Sequence, residues 1–203
     1  MPNVPSAVNQ QTKMKISITG HTSGIGLAIA QKFKEHDHEV RGFSRSNGFD
    51  ISDKSTRDSI LASSKDADVF VNNAYHPTGQ TELLREAIAV WKDTKTVIVN
   101  LSSKCIFYPT DHVNPAVQEY SVAYKAAKEQ QEKTINTLFY TRSKARILNI
   151  LPGVVNAGPS VLYPELVPGT KIDPKDLAEL IYGIIMMRNK ISIQTIMLET
   201  PDI

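Results

Sequence analysis

Tyr124 and Lys128 stand four residues apart in the segment YKAAK, a spacing that puts both side chains on one face of a helix. A phenol titrates near 10 when unperturbed, so it needs a cation beside it to trade protons close to neutral pH. Such a pair suits delivery of a proton to an oxygen on which negative charge develops. The same Tyr-x3-Lys spacing recurs at Tyr140 and Lys144. That pair lies about 24 Å further down a helix, so it belongs to the opposite end of the element. Tyr120 shares the face of Tyr124, but its i+4 neighbour is a second tyrosine, which leaves it as a wall residue. Ser102 and Ser103 follow the β-branched run TVIVN, and strand neighbours face opposite ways, so only one of them can join the tyrosine.

A second cluster is TGHTSGIG at 19–26, with glycines at 20, 24 and 26, directly after the alternating run KISIT. Gly20 permits a tight turn off the strand, and Gly24 a close backbone approach. Gly26 lets a following helix pack on the sheet. The N–H groups of that helix N-terminus face a phosphate-sized anion, with Ser23 and Ile25 among the loop residues touching it. The HDHE stretch at 36–39 reads as a polar turn between helix and strand rather than a metal site. A serine hydrolase would need a G-x-S-x-G turn, which the sequence lacks.

The elements that must position these groups alternate. Runs at 15–19, 39–44, 68–72, 96–100, 146–151 and 191–198 read as strands. Helical patterns occupy 24–36, 54–64, 81–91, 115–142 and 174–187. Asn114-Pro115 and Asp173-Pro174 each pair an N-cap residue with a first-turn proline. Strand-helix alternation predicts a parallel sheet covered on both faces, with functional residues gathered beyond the carboxyl ends of the strands.

The chain has 203 residues, of which 23 are Lys or Arg and 21 Asp or Glu, for a formal charge of +2. That balance argues against nucleic acid as a partner. No apolar run approaches the ~20 residues of a membrane span. A single cysteine, Cys105, leaves no internal disulfide and suits a reducing cytoplasm. Residues 1–12 carry no basic-then-apolar leader pattern and read as a flexible tail, with 13–203 as one domain.

Taken in order, TGHTSGIG, NNA (72–74), VNLSS (99–103), YKAAK (124–128) and PGVV (152–155) resemble the short-chain dehydrogenase/reductase family over about residues 14–200. The resemblance implies an α/β Rossmann-type doubly wound parallel sheet in a single domain and a nicotinamide dinucleotide cofactor. It makes Tyr124 the acid/base, with Lys128 lowering its pKa and holding the nicotinamide ribose. Ser103, in preference to Ser102, would hydrogen-bond the substrate oxygen. Asn73 and Ala74 match the segment passing the adenosine ribose, Asp50 and Ile51 the pair bordering adenine. Pro152, Gly153 and Val155 match the segment beside the nicotinamide carboxamide. The second strand ends in Ser44, Arg45 and Ser46 with no carboxylate until Asp50. A guanidinium there matches a ribose 2′-phosphate, with His21 able to add to it, so NADP(H) is expected over NAD(H).

The sequence also departs from that pattern. Residues 74–96 hold room for one helix of about three turns, a shortened helix between strands 4 and 5 of the family's sheet. No asparagine occurs between Asn73 and Asn100, so the family's relay asparagine has no counterpart and another group or water must serve. Tyr75 replaces the final glycine of the NNAG segment, and Asn156 stands where threonine is frequent. The stretch from Ser103 to Tyr124, with Phe107, Tyr108, Pro109 and His112, is longer than usual and reads either as a wall of the substrate site or as a plain surface loop. Leu162, Tyr163 and Leu166 are candidate lid contacts, and helix 115–142 is a candidate homodimer surface. The expected activity is an NADPH-dependent carbonyl reductase or alcohol dehydrogenase acting on a small carbonyl or alcohol. The alternative is a non-catalytic NADP-binding sensor or interaction protein on the same fold.

Overall fold

The computed structural model describes residues 12–109, 115–140, 146–158, 169–188 and 193–200. The expected tail falls almost wholly outside them. So do His112, Asn114, Lys144 and the three candidate lid residues.

Six parallel strands form one sheet in the order β2-β1-β3-β4-β5-β6. They are β1 (Lys15–Thr19), β2 (Glu39–Phe43), β3 (Val69–Asn72), β4 (Val97–Leu101), β5 (Arg146–Pro152) and β6 (Thr195–Leu198). The helices are α1 (Gly24–Glu35), α2 (Lys54–Ser63), α3 (Gly79–Trp91), α4 (Pro115–Tyr140) and α5 (Pro174–Met186). Every expected strand and helix is present, and the order reverses between β1 and β3, where the ligand crevice of such a sheet belongs. Counted along this chain, the short helix α3 joins the third and fourth strands. It begins at Gly79 rather than Thr81, which brings Gln80 into its first turn.

Strand alternation divides the core between the two faces. Val69, Val71, Val99, Leu148 and Ile150 pack with Ile29 and Phe33 of α1 and Leu177, Ile181 and Ile185 of α5. Phe70, Ile98 and Ile147, one position out of phase, pack with Ile60, Leu83, Leu84, Trp91 and Ile135 from α2, α3 and α4. Local signals set the helix starts. Asp53 caps α2 through the N–H groups of Ser55 and Thr56, and Asp173 caps α5 at Lys175 N (2.7 Å). Arg57 of α2 is buried, forks onto Glu86 of α3 at 3.0 and 3.2 Å, and donates to Ile51 O (3.0 Å) and Ser52 O (3.1 Å). It thereby holds the loop after β2 against α3. Among the described residues no helix is long and apolar enough to cross a membrane.

The second face carries a polar seam. Asn72, Asn100 and Asn149 are paired in register across β3, β4 and β5, and all three are fully buried. Asn72 Nδ2 donates to Asn100 Oδ1 (3.0 Å), and Asn100 Nδ2 donates to Asn149 Oδ1 (2.9 Å). Asn149 Nδ2 ends the run on Glu132 of α4 at 2.9 and 3.0 Å. At the other end Asn72 Nδ2 also donates to Gln80 O of α3 (3.0 Å). The seam pins three strand ends and two helices in one register, because each amide left unpaired in this dry layer would cost 1–3 kcal/mol.

The two histidines of the HDHE stretch serve packing. His36 lies against Tyr182 with centroids 4.2 Å apart, and His38 is buried beside Phe33 with Nδ1 accepting the Met14 N–H at 3.2 Å. Burial, then the nearby His36 and Arg188 charges, push the His38 pKa below its usual 6.5, against smaller opposing effects of Asp37 and Asp68.

Two outcomes follow for stability. The unfolded chain takes up the His38 proton first, so its neutral ring contributes stability above pH 6.5 that is lost as pH falls toward the lowered folded value. Urea unfolding between pH 7.5 and 5 should show that decline, and His38→Asn, which keeps an acceptor near Met14 N, should flatten it. Asn100→Ala removes one acceptor from Asn72 and the donor to Asn149 Oδ1 and should cost about 2 kcal/mol at pH 7 by urea unfolding, well above a surface Asn→Ala change.

Candidate active site

Beyond Thr19 the chain turns at Gly20, whose φ of 71° is open to glycine at little cost, and enters α1 at Gly24. A Cβ on Gly26 would lie 2.2 Å from Gly20 O, so only glycine lets the helix start come this close to the turn. Asn73 clamps the loop from the next strand. Its Nδ2 donates to Thr19 O (3.0 Å) and Gly20 O (3.2 Å), while Thr19 Oγ1 accepts the N–H groups of Asn73 and Ala74 at 3.0 Å each. Ser23 is the N-cap of α1 but makes no side-chain cap bond, and the first turn carries no acidic residue. The N-terminus of α1 therefore offers positive potential to the space in front of it.

That space is a cavity of about 900 Å³ running along the carboxyl ends of the strands. At the end beside β2 it is lined by Ser44, Arg45, Ser46, Asp50 and Ile51, with Asn73, Ala74 and His76 from the loop after β3. Ser44 and Asn47 close a short 3-10 turn around Arg45, with Ser44 N donating to Asn47 Oδ1 at 2.7 Å. The Ser52 N–H, and next its hydroxyl, hold the Asp50 carboxyl below its usual range, with the Arg45 charge adding to them. Gly20, Thr22, Ser23, Gly24 and Ile25 line the middle. Gly26 sits behind them as a packing residue. His21 is placed differently from the expectation: its ring lies on the strand at Gly42, where an added Cβ would meet it at 2.2 Å. It is outside the cavity lining, which leaves Arg45 as the cationic side chain beside Ser44 and Ser46.

At the end beside β5, Ser102, Ser103, Tyr124, Lys128, Pro152, Gly153 and Val155 meet on the same cavity. The two serines divide as strand alternation requires. Ser102 Oγ, in phase with the asparagine seam, donates to Glu132 Oε1 at 2.6 Å. Ser103 caps the 3-10 turn after β4 by accepting the Cys105 N–H (3.2 Å), and its hydroxyl opposes the rise of the Tyr124 pKa.

The electrostatics differ from the sequence expectation. Burial pushes the Tyr124 pKa well above the ordinary phenol value, with the Cys105 thiol adding to it and Ser103 opposing. Lys128 does not offset this. Its amine lies 5.4 Å from the centroid of the Tyr124 ring, over the face rather than at the hydroxyl. Its hydrogen bonds go instead to Leu101 O (2.7 Å) and Gln80 Oε1 (2.9 Å). Lys128 is 3% exposed, and burial pushes its pKa down to about 7, against the Cys105 and Glu132 charges. A lysine held this way is poised between charge states near neutral pH.

Tyr75, the residue in place of glycine, lies with its ring 4.9 Å from that of Tyr124, and Tyr120 stacks on the other side at 5.9 Å. Both line the cavity, as does Tyr108, whose hydroxyl donates to Glu199 Oε2 at 2.6 Å. Phe107 is exposed outside the lining. Glu132 and Gln80 are site-building residues that motif spacing does not mark. Glu132 was readable in principle, as the next i+4 step after Tyr124 and Lys128 on the same helix face. Gln80 reaches Lys128 across 48 residues of sequence, and no local pattern carries that contact.

No family model matches the chain, and no curated protein matches it in sequence. Solved structures do match in fold. A 4-hydroxyisoleucine dehydrogenase complexed with NADH is 18% identical, with a TM-score of 0.72 over 92% of this chain and 97% of that one. The 3-alpha-hydroxysteroid dehydrogenase from Pseudomonas sp. B-0831, complexed with NADH, is 18% identical, with a TM-score of 0.67 over 90% and 95%. A short chain dehydrogenase from Burkholderia cenocepacia J2315 in complex with NADP is 17% identical, with a TM-score of 0.67 over 92% and 88%. The six-stranded parallel sheet, its strand order and its covering helices are those of the short-chain dehydrogenase/reductase fold.

Proposed function

We propose that the chain is an NADP(H)-dependent oxidoreductase that interconverts a carbonyl and an alcohol, with Tyr124 as its acid/base. The observation that supports this reading best is the convergence of Ser103, Tyr124 and Lys128 at one end of a cavity whose middle is a glycine loop and helix N-terminus. The residues present fit a dinucleotide. Gly20 and Gly24 add no side chain of their own to the loop, and the start of α1 has no carboxylate of its own to compete with a pyrophosphate. The cofactor, when bound, supplies or accepts the hydride.

The residues around it divide the remaining work. The α1 N-terminus and the Gly20–Gly24 turn hold the pyrophosphate, and Asp50 and Ile51 border the adenine. Arg45, flanked by Ser44 and Ser46, pairs with a 2′-phosphate; no carboxylate of β2's end competes for that position. Pro152, Gly153 and Val155 flank the nicotinamide. Ser103 orients the substrate oxygen by hydrogen bonding, and Tyr124 hands it the proton. The raised pKa of Tyr124 leaves the phenol protonated at neutral pH, the form that can donate to a carbonyl oxygen. Lys128 sits beside the phenol ring, ready to answer the change in charge when the proton leaves.

Two measurements test this reading. Loss of NADPH absorbance should be followed over a panel of ketones, aldehydes and quinones. Tyr124→Phe should lower kcat by about a thousandfold, within the range of general acid catalysis, while leaving the NADPH Kd within a few-fold. Tight NADPH binding with no turnover on any substrate would favour the sensor alternative. For the cofactor end, Arg45→Asp should move the ratio of NADPH to NADH affinity by at least tenfold toward NADH, measured by fluorescence titration. Equal affinities in the unaltered chain would defeat the NADP(H) assignment.

A further inference from the structure

We propose that Gln80 is the positioning residue of this site: its carboxamide oxygen holds the Lys128 amine beside Tyr124 and sustains the charged form of that amine. The proposal rests on the reading of Tyr124 and Lys128 given above. It supplies the group that the missing asparagine left open.

The geometry leaves the carboxamide one orientation. The charged Lys128 can only donate, so the atom facing it is Oε1, at 2.9 Å. The amide nitrogen then faces two groups that can only accept, Asn72 O at 3.2 Å and Leu101 O at 3.1 Å. A flipped amide would set donor against donor on one side and acceptor against acceptor on the other. Gln80 is 1% exposed and in the first turn of α3, and its own carbonyl accepts from Asn72 Nδ2 at 3.0 Å. Its side chain therefore has no freedom to swing away, and the end of the asparagine seam fixes its backbone.

The other groups around the Lys128 amine do not substitute for this contact. Tyr75 and Tyr124 present ring faces, with centroids 5.7 and 5.4 Å from Nζ. Glu132, one helical turn along α4, acts on the amine only through its charge, and Cys105, from the turn after β4, would do so only as a thiolate, a form its raised pKa disfavours. Leu101 O is the other hydrogen-bonding acceptor, and it is shared with Gln80 Nε2. A lysine this buried keeps its proton only where acceptors replace the lost water. Two carbonyl-type oxygens do so here, one of them on a side chain that can be changed.

The experiment reads Lys128 directly. Titration of 13C-labelled lysine by NMR, with the Lys128 resonance assigned by its loss in Lys128→Met, gives the midpoint in the cofactor-free chain. In Gln80→Met, which keeps the volume and removes the acceptor, the midpoint should fall by about half to one pH unit. In Gln80→Glu, which adds charge, it should rise. The limb of the kcat/KM profile assigned to Lys128 should move the same way in each variant. A purely structural Gln80 would change the unfolding midpoint in urea while leaving the titration in place. A Lys128 midpoint that stays within 0.3 pH unit of the unaltered chain, in whichever variant folds natively by near-UV circular dichroism, would overturn the proposal. Absence of turnover in the unaltered chain would defeat the enzymatic reading alone, because the NMR midpoint still decides the role of Gln80.

Discussion

A lysine amine taken out of water at the carboxyl ends of the strands is the constraint that organises this molecule. Lys128 is 3% exposed, and an ammonium in that position is tolerated only if fixed acceptors stand where water would. Leu101 O comes from the end of β4 and Gln80 Oε1 from the first turn of α3, so two separate elements must hold their positions to within a few tenths of an ångström. The asparagine seam through Asn72, Asn100 and Asn149 provides that rigidity. It ties three strand ends to one another, to α3 through Gln80 O and to α4 through Glu132. Buried amides that exchange hydrogen bonds with one another resist small shifts that an apolar layer would accept.

The same logic separates the two serines. Ser102 falls in phase with the seam and is consumed by Glu132, which leaves Ser103 to turn into the cavity beside Tyr124. Glu132 thus joins the seam, the Ser102 hydroxyl and the helix that carries Tyr124 and Lys128. Along the middle of the cavity the constraint is different. There Asn73 and Thr19 clamp the glycine loop through its backbone. Lys128 is buried at one end of the cavity, and the positively polarised start of α1 lies along its middle.

Much of this was legible in the order of residues. Alternation of β-branched runs with helical patterns located each strand and helix, because the two periodicities differ and the core needs both. The glycine loop, the Ser-Tyr-Lys set and the Arg45 turn were each local: a turn, one helix face, a strand end. His21 was misplaced by that reasoning, since a loop position does not say which way a ring turns. It packs on Gly42, a strand residue that only the β1–β2 pairing brings beneath it. The expected influence of Lys128 on Tyr124 also failed, because i and i+4 spacing places two side chains on one face without saying what their polar ends bind.

The sequence by itself determined the fold class, the end of the sheet on which the site lies, and the residue types available there. These follow from short-range steric and hydrophobic periodicity, which a linear chain carries in full. The tertiary structure alone decided which acceptors hold the Lys128 amine, which serine faces the tyrosine, and that Gln80 belongs to the site at all. Those outcomes depend on hydrogen bonds between segments tens of residues apart, and their geometry exists only once sheet register and helix packing have been set.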